Sequence, residues 1–399
     1  MFIIEKSPEK DPLLTSHNKS RLAYLFNPAF DGVRGLAILL VILSHSYQSF
    51  FQSSLDRFWY RVSTAGWIGV DMFFVLSGFL ITRILIQSRQ TPLYFQTFYI
   101  RRALRIFPLY ALFLCFFFGA IPFFPNLSSL FSIDRSHFFW HLLFLSNLYF
   151  SYLGFYPGHI VDISWSLSIE EQFYLFWPLL VWKSPLKNLR LVCFSLLSLS
   201  IGLIFFQVVS HTPLNSTYFF TLTRWHGILC GSALATIILD PVASKYFYSK
   251  IDLIFNLSCL LSILSFSQGI HTTSLLVQLL GFPSYAIFFT ALLAKLNFNT
   301  KGLLLSFFNL KGLRYLGKYS YGLYLTHQPI IILIEKILPS YIRHSALSSV
   351  PLVGTLLFQS VSIFICLLCA YLIYHGFEVY FLNLKDISLA PKKLSKNTV

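Results

Sequence analysis

Apolar runs of about 18 or more residues, the length an α-helix needs to cross a bilayer core, recur along the whole chain. Polar and charged clusters separate them. The pattern predicts about ten membrane-spanning helices, near 33–51, 67–87, 106–124, 165–182, 189–209, 221–239, 251–267, 274–294, 319–338 and 353–375. A further apolar stretch, "FFWHLLFLSNLYF" at 138–150, is short for a crossing and reads as a helix at the membrane surface or half-inserted. The expected fold class is therefore all-α, a polytopic membrane bundle. It forms one domain over 29–383, with polar tails at 1–28 and 384–399. The opening "MFIIEKSPEKDPLL" lacks the apolar core and cleavage site of a secretory signal, so the first span is expected to direct insertion itself. There is no internal repeat, low-complexity tract or Pro/Gly-rich linker.

Composition agrees. Of 399 residues 56% are hydrophobic and 11% charged, with a mean hydropathy of +0.67, which leaves too few charges to cover a soluble surface. Charge placement then orients the bundle. With the N-terminus cytoplasmic, 24 of the 30 Lys and Arg fall on the cytoplasmic side, and the outer side keeps Arg57, Arg61, Arg135, Arg224, Lys336 and Arg343. Both termini are expected in the cytoplasm. The net charge of +15 thus reports topology and contact with anionic lipid. No basic stripe or recognition module points to nucleic acid. The six cysteines lie almost entirely in apolar runs, and Cys366-x-x-Cys369 sits inside "FICLLCAYLIY", so packing explains them better than redox or metal chemistry.

Two residues fit this picture poorly. In "DGVRGLAILLVILSHSYQSF", Arg34 stands at the entry of the first span and His45 lies 11 residues further on. At about 100° per residue they share one helix face, with a rise of about 16 Å between them. Arg34 alone reads as a snorkelling anchor and His45 as an interhelical hydrogen-bonding group. They have company, however. Asp71 lies a turn inside the second span, Glu170 and Glu171 near the outer end of the fourth, Arg224 and His226 at the start of the sixth, and His327 near the middle of the ninth. Unpaired charges in hydrocarbon are costly, so these groups are expected to converge on a polar cavity. At the opposite face, "FYIRRALRIFPLY" carries Arg101, Arg102 and Arg105 just ahead of the third span. Arg102 and Arg105 share a helix face and form either positive-inside charge or a phosphate clamp.

The segments "FDGVRGLAILLVILSH", "GWIGVDMFFVLSGFLIT", "FYIRRALRIFPLY", "SWSLSIEEQFYLFWP" and "LGKYSYGLYLTHQPI" together resemble the acyltransferase-3 family in order and spacing, over about 29–380. The resemblance implies a ten-helix membrane enzyme that takes an acyl group, usually acetyl, from cytosolic acyl-CoA. It passes that group to a hydroxyl of a cell-surface glycan such as lipopolysaccharide O-antigen or exopolysaccharide. It implies the stand-alone form without a following soluble domain, in a bacterial inner membrane. The family's Arg-x10-His motif maps to Arg34 and His45, and its R-x-x-R motif to Arg102 and Arg105.

Histidine suits the base that acyl transfer to an alcohol requires. His45 is expected to remove the acceptor proton, with Asp71, Glu170 or Glu171 supporting the imidazole. Arg34, Arg102 and Arg105 are expected to bind acyl-CoA. Ser166, Trp165, Arg224 and His327 take acceptor-side or secondary roles. Ser166 is an alternative acyl carrier and His327 an alternative base. Glu378 is expected to pair with a cation at the inner interface. Acetyl-CoA is the expected donor, with no permanently bound cofactor and no metal, and a homo-oligomer stays open. The same buried charges also describe a proton-coupled transporter or flippase, or an assembly partner in glycan export.

Overall fold

The computed structural model describes residues 27–47, 53–131, 133–158, 160–268, 271–343 and 351–388. Its α-helices are α1 (Ala29–His45), α2 (Ser54–Thr64), α3 (Ile68–Ser88), α4 (Tyr94–Leu114), α5 (Pro125–Phe131) and α6 (Phe138–Leu142). Then come α7 (Ser146–Leu153), α8 (Trp165–Lys183), α9 (Leu186–Val209), α10 (Leu214–Phe219), α11 (Thr221–Ile238) and α12 (Pro241–Gln268). The last six are α13 (Phe282–Phe298), α14 (Leu303–Phe308), α15 (Lys311–Lys318), α16 (Ser320–Arg343), α17 (Pro351–Ile373) and α18 (Val379–Ser388). The described residues contain no strand, and helix occupies every one of the ten segments expected to span the membrane.

Among the described residues, six continuous helices are long and apolar enough to cross a membrane by length and composition: Ser54–Ser88, Tyr94–Phe123, Leu186–Val209, Pro241–Phe266, Val277–Phe298 and Leu352–Leu384. The helices α1, α8, α11 and α16 are not among them. These four carry Arg34, His45, Glu170, Glu171, Arg224, His226 and His327. On α11 every residue from Arg224 to Thr236 but Trp225 is buried, and a face turned to other helices rather than to lipid can carry polar groups. Burial differs widely among the six. Within its apolar stretch Ser54–Ser88 is 78% buried, whereas Leu186–Val209 is 17% buried and presents most of its surface outward.

Small residues let the central helices approach closely. A Cβ at Gly78 of α3 would lie 1.9 Å from the carbonyl oxygen of Ile228, and one at Gly231 of α11 would lie 1.9 Å from that of Val75. Without side chains the two backbones meet in direct contact, the small-residue solution to packing in lipid. Thr82 then donates to Ser232 across the same seam at 2.8 Å, and Trp177 of α8 donates to Thr82 at 2.7 Å.

Three expectations change. The arginines at 101, 102 and 105 do not precede the third span; the helix begins at Tyr94 and includes them, then runs on through the π-turn Cys115–Ala120 to Phe123. The 138–150 stretch is not one helix. It breaks at Phe144, whose φ of 54° is left-handed, into α6 and α7. Polar bonds anchor that break: Tyr110 donates to the His141 carbonyl at 2.9 Å, and Gln172 to the Phe144 carbonyl at 2.7 Å. Finally, His45 is the last residue of α1 and is exposed, where the apolar run predicted a helix continuing to 51. The tails at 1–26 and 389–399, to which the expectation of two cytoplasmic termini applies, lie outside the described residues.

Candidate functional site

A cavity opens between α1, α3, α4, α8 and α16. Its polar lining comes from Arg34, Ser77, Arg102, Ser166, Glu170 and Tyr324, while Phe73, Phe74, Leu76 and Leu80 supply an apolar wall from α3. Four of the sequence-selected residues therefore meet in one space, drawn from three different helices.

The cationic end is built from α1 and α4. Arg34 is 3% exposed and paired one turn back with Asp31, which fixes its guanidinium against its own helix. Arg102 and Arg105 both lie within coulombic reach of it. The guanidinium of Arg102 sits over the ring of Tyr174, 4.5 Å from its centroid. Arg105 does not line the cavity. It lies over Tyr321 at 5.8 Å and 3.9 Å from the carboxylate of Glu378, so the expected interfacial partner of Glu378 is Arg105. Three guanidinium groups this close repel unless an anion joins them, and Arg34 already has the carboxylate of Asp31 at hydrogen-bonding distance.

The imidazole end belongs to α1 and α16. His45 places its Nδ1 2.8 Å from the carbonyl oxygen of Val41. A carbonyl only accepts, so Nδ1 carries the proton and Nε2 keeps a lone pair. His327 is fully buried and repeats the arrangement, with Nδ1 2.7 Å from the Tyr324 carbonyl and Nε2 without a partner among the described residues. The two rings meet edge to face with centroids 5.0 Å apart. Exposed His45 thus faces inward, onto a buried partner. The connection back to the cavity is Tyr324, whose ring lies 5.8 Å from that of His327. Arg34 and His45 do share a helix face, but His45 is not part of the cavity lining; Tyr324 and His327 bridge the gap.

The carboxylates are placed differently from the expectation. Asp71 is not beside His45. It accepts from Arg224 at 2.7 Å, both side chains being 0% exposed, and Arg224 is ringed by Phe74, Trp165, Tyr218 and Phe282. This correction has a simple cause: the lowest-cost partner for a buried carboxylate is a guanidinium, and α11 brings one to the seam with α3. Trp165 accordingly packs on Arg224 and on Tyr218 at 5.0 Å. Glu170 lines the cavity and accepts from Tyr174 at 2.8 Å, whereas Glu171 leaves one carboxylate oxygen unpaired within coulombic reach of Arg102. Neither makes a contact with His45. Ser166 is 2.6 Å from the Tyr324 hydroxyl, which itself donates to the Ile163 carbonyl at 2.9 Å, so the serine donates its proton to the tyrosine. His226 stacks on Phe282 and bonds the Thr223 carbonyl, away from the cavity.

Several participants are not among the residues singled out from the sequence. Tyr174 and Ser77 contact each other and flank the cavity; Tyr174 stands four residues after Glu170, the helical spacing at which a hydroxyl reaches a carboxylate, and that spacing is a usable signal. His141 sits between Ser164 at 2.9 Å and Asp162 at 3.3 Å, all three buried, and none of these contacts follows from spacing. All six cysteines are free thiols, and among the described residues no group of three or more His, Cys, Asp or Glu is placed to hold a metal ion.

The family model described as "Acyltransferase domain" matches residues 27–375. The chain is 34% identical over 343 residues to the peptidoglycan O-acetyltransferase OatA of Listeria monocytogenes, covering 80% of this chain and 51% of that protein. It is 31% identical over 337 residues to the O-acetyltransferase OatA of Staphylococcus aureus, covering 77% and 51%. It is 28% identical over 327 residues to the putative peptidoglycan O-acetyltransferase YrhL of Bacillus subtilis, covering 77% and 49%. The chain spans about half the length of these relatives, and no solved structure matches it. With the family model matching almost all of the helical bundle, the chain belongs to the acyltransferase-3 family of membrane proteins.

Proposed function

We propose that the protein is a membrane O-acetyltransferase that moves an acetyl group from acetyl-CoA to a hydroxyl of a cell-wall glycan. The names of the relatives favour a peptidoglycan-type acceptor over lipopolysaccharide or exopolysaccharide. The observation that carries the proposal is the line of groups from Arg34 and Arg102 through Tyr324 and His327 to His45: an anion-binding end joined to a free imidazole lone pair.

Acetyl-CoA supplies an activated acyl group on a polyanionic handle. Arg102 and Arg34 attract the phosphates, and the apolar wall of α3 excludes water that would hydrolyse the thioester. On the far side His45 Nε2 accepts the proton of the acceptor hydroxyl as its oxygen attacks the thioester carbonyl. The tetrahedral intermediate then collapses, the C–S bond breaks, and the CoA thiolate leaves. It takes a proton from the imidazolium, directly or through water, and returns neutral His45. His327, with its own Nε2 unpartnered among the described residues and 5.0 Å ring to ring from His45, is a candidate to share that proton. Ser166 is a weaker candidate for an acyl-enzyme, because its hydroxyl donates to Tyr324 and faces no base.

The donor half is tested by ligand stabilisation of the detergent-purified protein. Acetyl-CoA at about 100 times its Kd should stabilise the folded state by about 2.7 kcal/mol. Arg102→Ala should shift the required concentration upward by at least tenfold. A glycan transporter would ignore acetyl-CoA, and an unchanged melting temperature at millimolar acetyl-CoA would remove the donor from the proposal.

A further inference from the structure

Tyr174 is 2% exposed, lies in the segment "SWSLSIEEQFYLFWP" four residues after Glu170, and stands behind the cavity wall rather than in it. Three of its neighbours do line the cavity. Its hydroxyl donates to the carboxylate of Glu170 at 2.8 Å, the same oxygen bonds Ser77 of α3, and its ring carries the guanidinium of Arg102 at 4.5 Å. One side chain therefore touches a cavity carboxylate on α8, a cavity hydroxyl on α3 and a cavity cation on α4. Phe98 of α4 packs edge-on against the same ring at 6.5 Å and contributes a second aromatic face beneath Arg102 at 6.0 Å.

We infer that Tyr174 is a positioning residue for acyl transfer: its hydroxyl sets the orientation of Glu170, and its ring sets the height of Arg102 in the cavity. The inference rests on the acyltransferase function proposed above. The two duties are chemically separable. An O–H donor to a carboxylate removes freedom from that carboxylate. A ring face under a guanidinium holds it by the quadrupole and by packing, and needs no hydroxyl. Arg102 is within coulombic reach of both Glu170 and Glu171.

Two variants read the two duties separately. Tyr174→Phe keeps the ring and the volume and removes the hydroxyl. It should lower kcat about tenfold to a hundredfold, the range for a lost hydrogen bond to a charged group, and leave KM for acetyl-CoA within about twofold. Tyr174→Leu loses the ring as well and should also raise KM for acetyl-CoA, by about twofold to thirtyfold. A merely structural role would change melting temperature and the amount of active protein, not split the two kinetic constants. The assay is CoA release from acetyl-CoA by purified protein with soluble peptidoglycan fragments as acceptor. Melting temperature is measured in parallel to exclude variants that do not fold. Wild-type activity with Tyr174→Phe within twofold on kcat, or with Phe and Leu variants raising KM equally, overturns the positioning inference alone. Wild-type protein that releases no CoA counts against acyl transfer itself and removes the inference with it.

Discussion

The Asp71–Arg224 pair gives the sharpest energetic prediction. Both side chains are fully buried, joined by one hydrogen bond of 2.7 Å, while Asp71 Oδ2 and Arg224 Nε and Nη1 have no hydrogen-bond partner among the described residues. Such a pair is imperfectly satisfied. Its mutual attraction offsets two desolvation costs without a large surplus, yet removing one member leaves an isolated charge, at about 3–5 kcal/mol. The aromatic faces of Phe282 at 4.6 Å and Tyr218 at 4.7 Å soften the loss when Asp71 is the one removed, since they still stabilise the cation. No such faces compensate a stranded Asp71. The expected order of stability is therefore wild type and the double variant Asp71→Leu/Arg224→Met together at the top, Asp71→Leu about 3 kcal/mol lower, and Arg224→Met lowest, near 5 kcal/mol down. The assay is thermal unfolding in detergent by tryptophan fluorescence, with a double-mutant cycle. If the double variant is as unstable as the sum of the singles, or if Asp71→Leu melts with the wild type, the pair is not the coupled unit described here.

Other predictions follow from packing and charge. Gly231→Ala places a Cβ 1.9 Å from the Val75 carbonyl oxygen, so α3 and α11 must separate; folded protein in the membrane fraction, followed by size-exclusion chromatography, should fall severely. Gly202, whose Cβ would meet nothing within 4 Å, should accept alanine with no loss in the same measurement. At the loop between α11 and α12, Asp240 accepts from Arg190 at 2.6 Å and from the amides of Val242 and Ala243, which hold its carboxyl below the usual carboxylate value. A depressed folded-state pKa contributes stability that is present above the unfolded value of about 4 and is lost as pH falls through the folded value. Asp240→Asn should therefore flatten the acidic limb of a melting-temperature profile below about pH 4 and change little at neutral pH.

The helical segments were legible from their apolar runs, although among the described residues only six helices have the length and apolarity that a lipid crossing demands. The shared face of Arg34 and His45 was legible because helix geometry alone dictates it. What lay beyond the sequence was pairing between helices. Asp71 and Arg224 are 153 positions apart, and nothing in either segment selects Arg224 over His45 as the partner of Asp71. The end of α1 at His45 was hidden because neither Gly nor Pro follows it through residue 51, and periodicity alone cannot mark a stop. The place of His327 between Tyr324 and His45 likewise depends on how α16 packs against α1. The Tyr174–Glu170 bond was within reach, because four-residue spacing on a helix brings the two side chains together.

The central claim is that an imidazole at the end of α1 takes the acceptor's proton while the arginines of α1 and α4 hold the donor. Proteoliposomes containing isotopically labelled acetyl-CoA inside and soluble peptidoglycan fragments outside test it most directly, with His45→Gln compared to wild type and acetyl-CoA binding measured on both. The account predicts labelled O-acetyl groups on the outer fragments with wild type, a loss of at least about a hundredfold with His45→Gln, and equal donor binding by the two. Transfer by His45→Gln within threefold of wild type, at equal protein in the membrane, would contradict it.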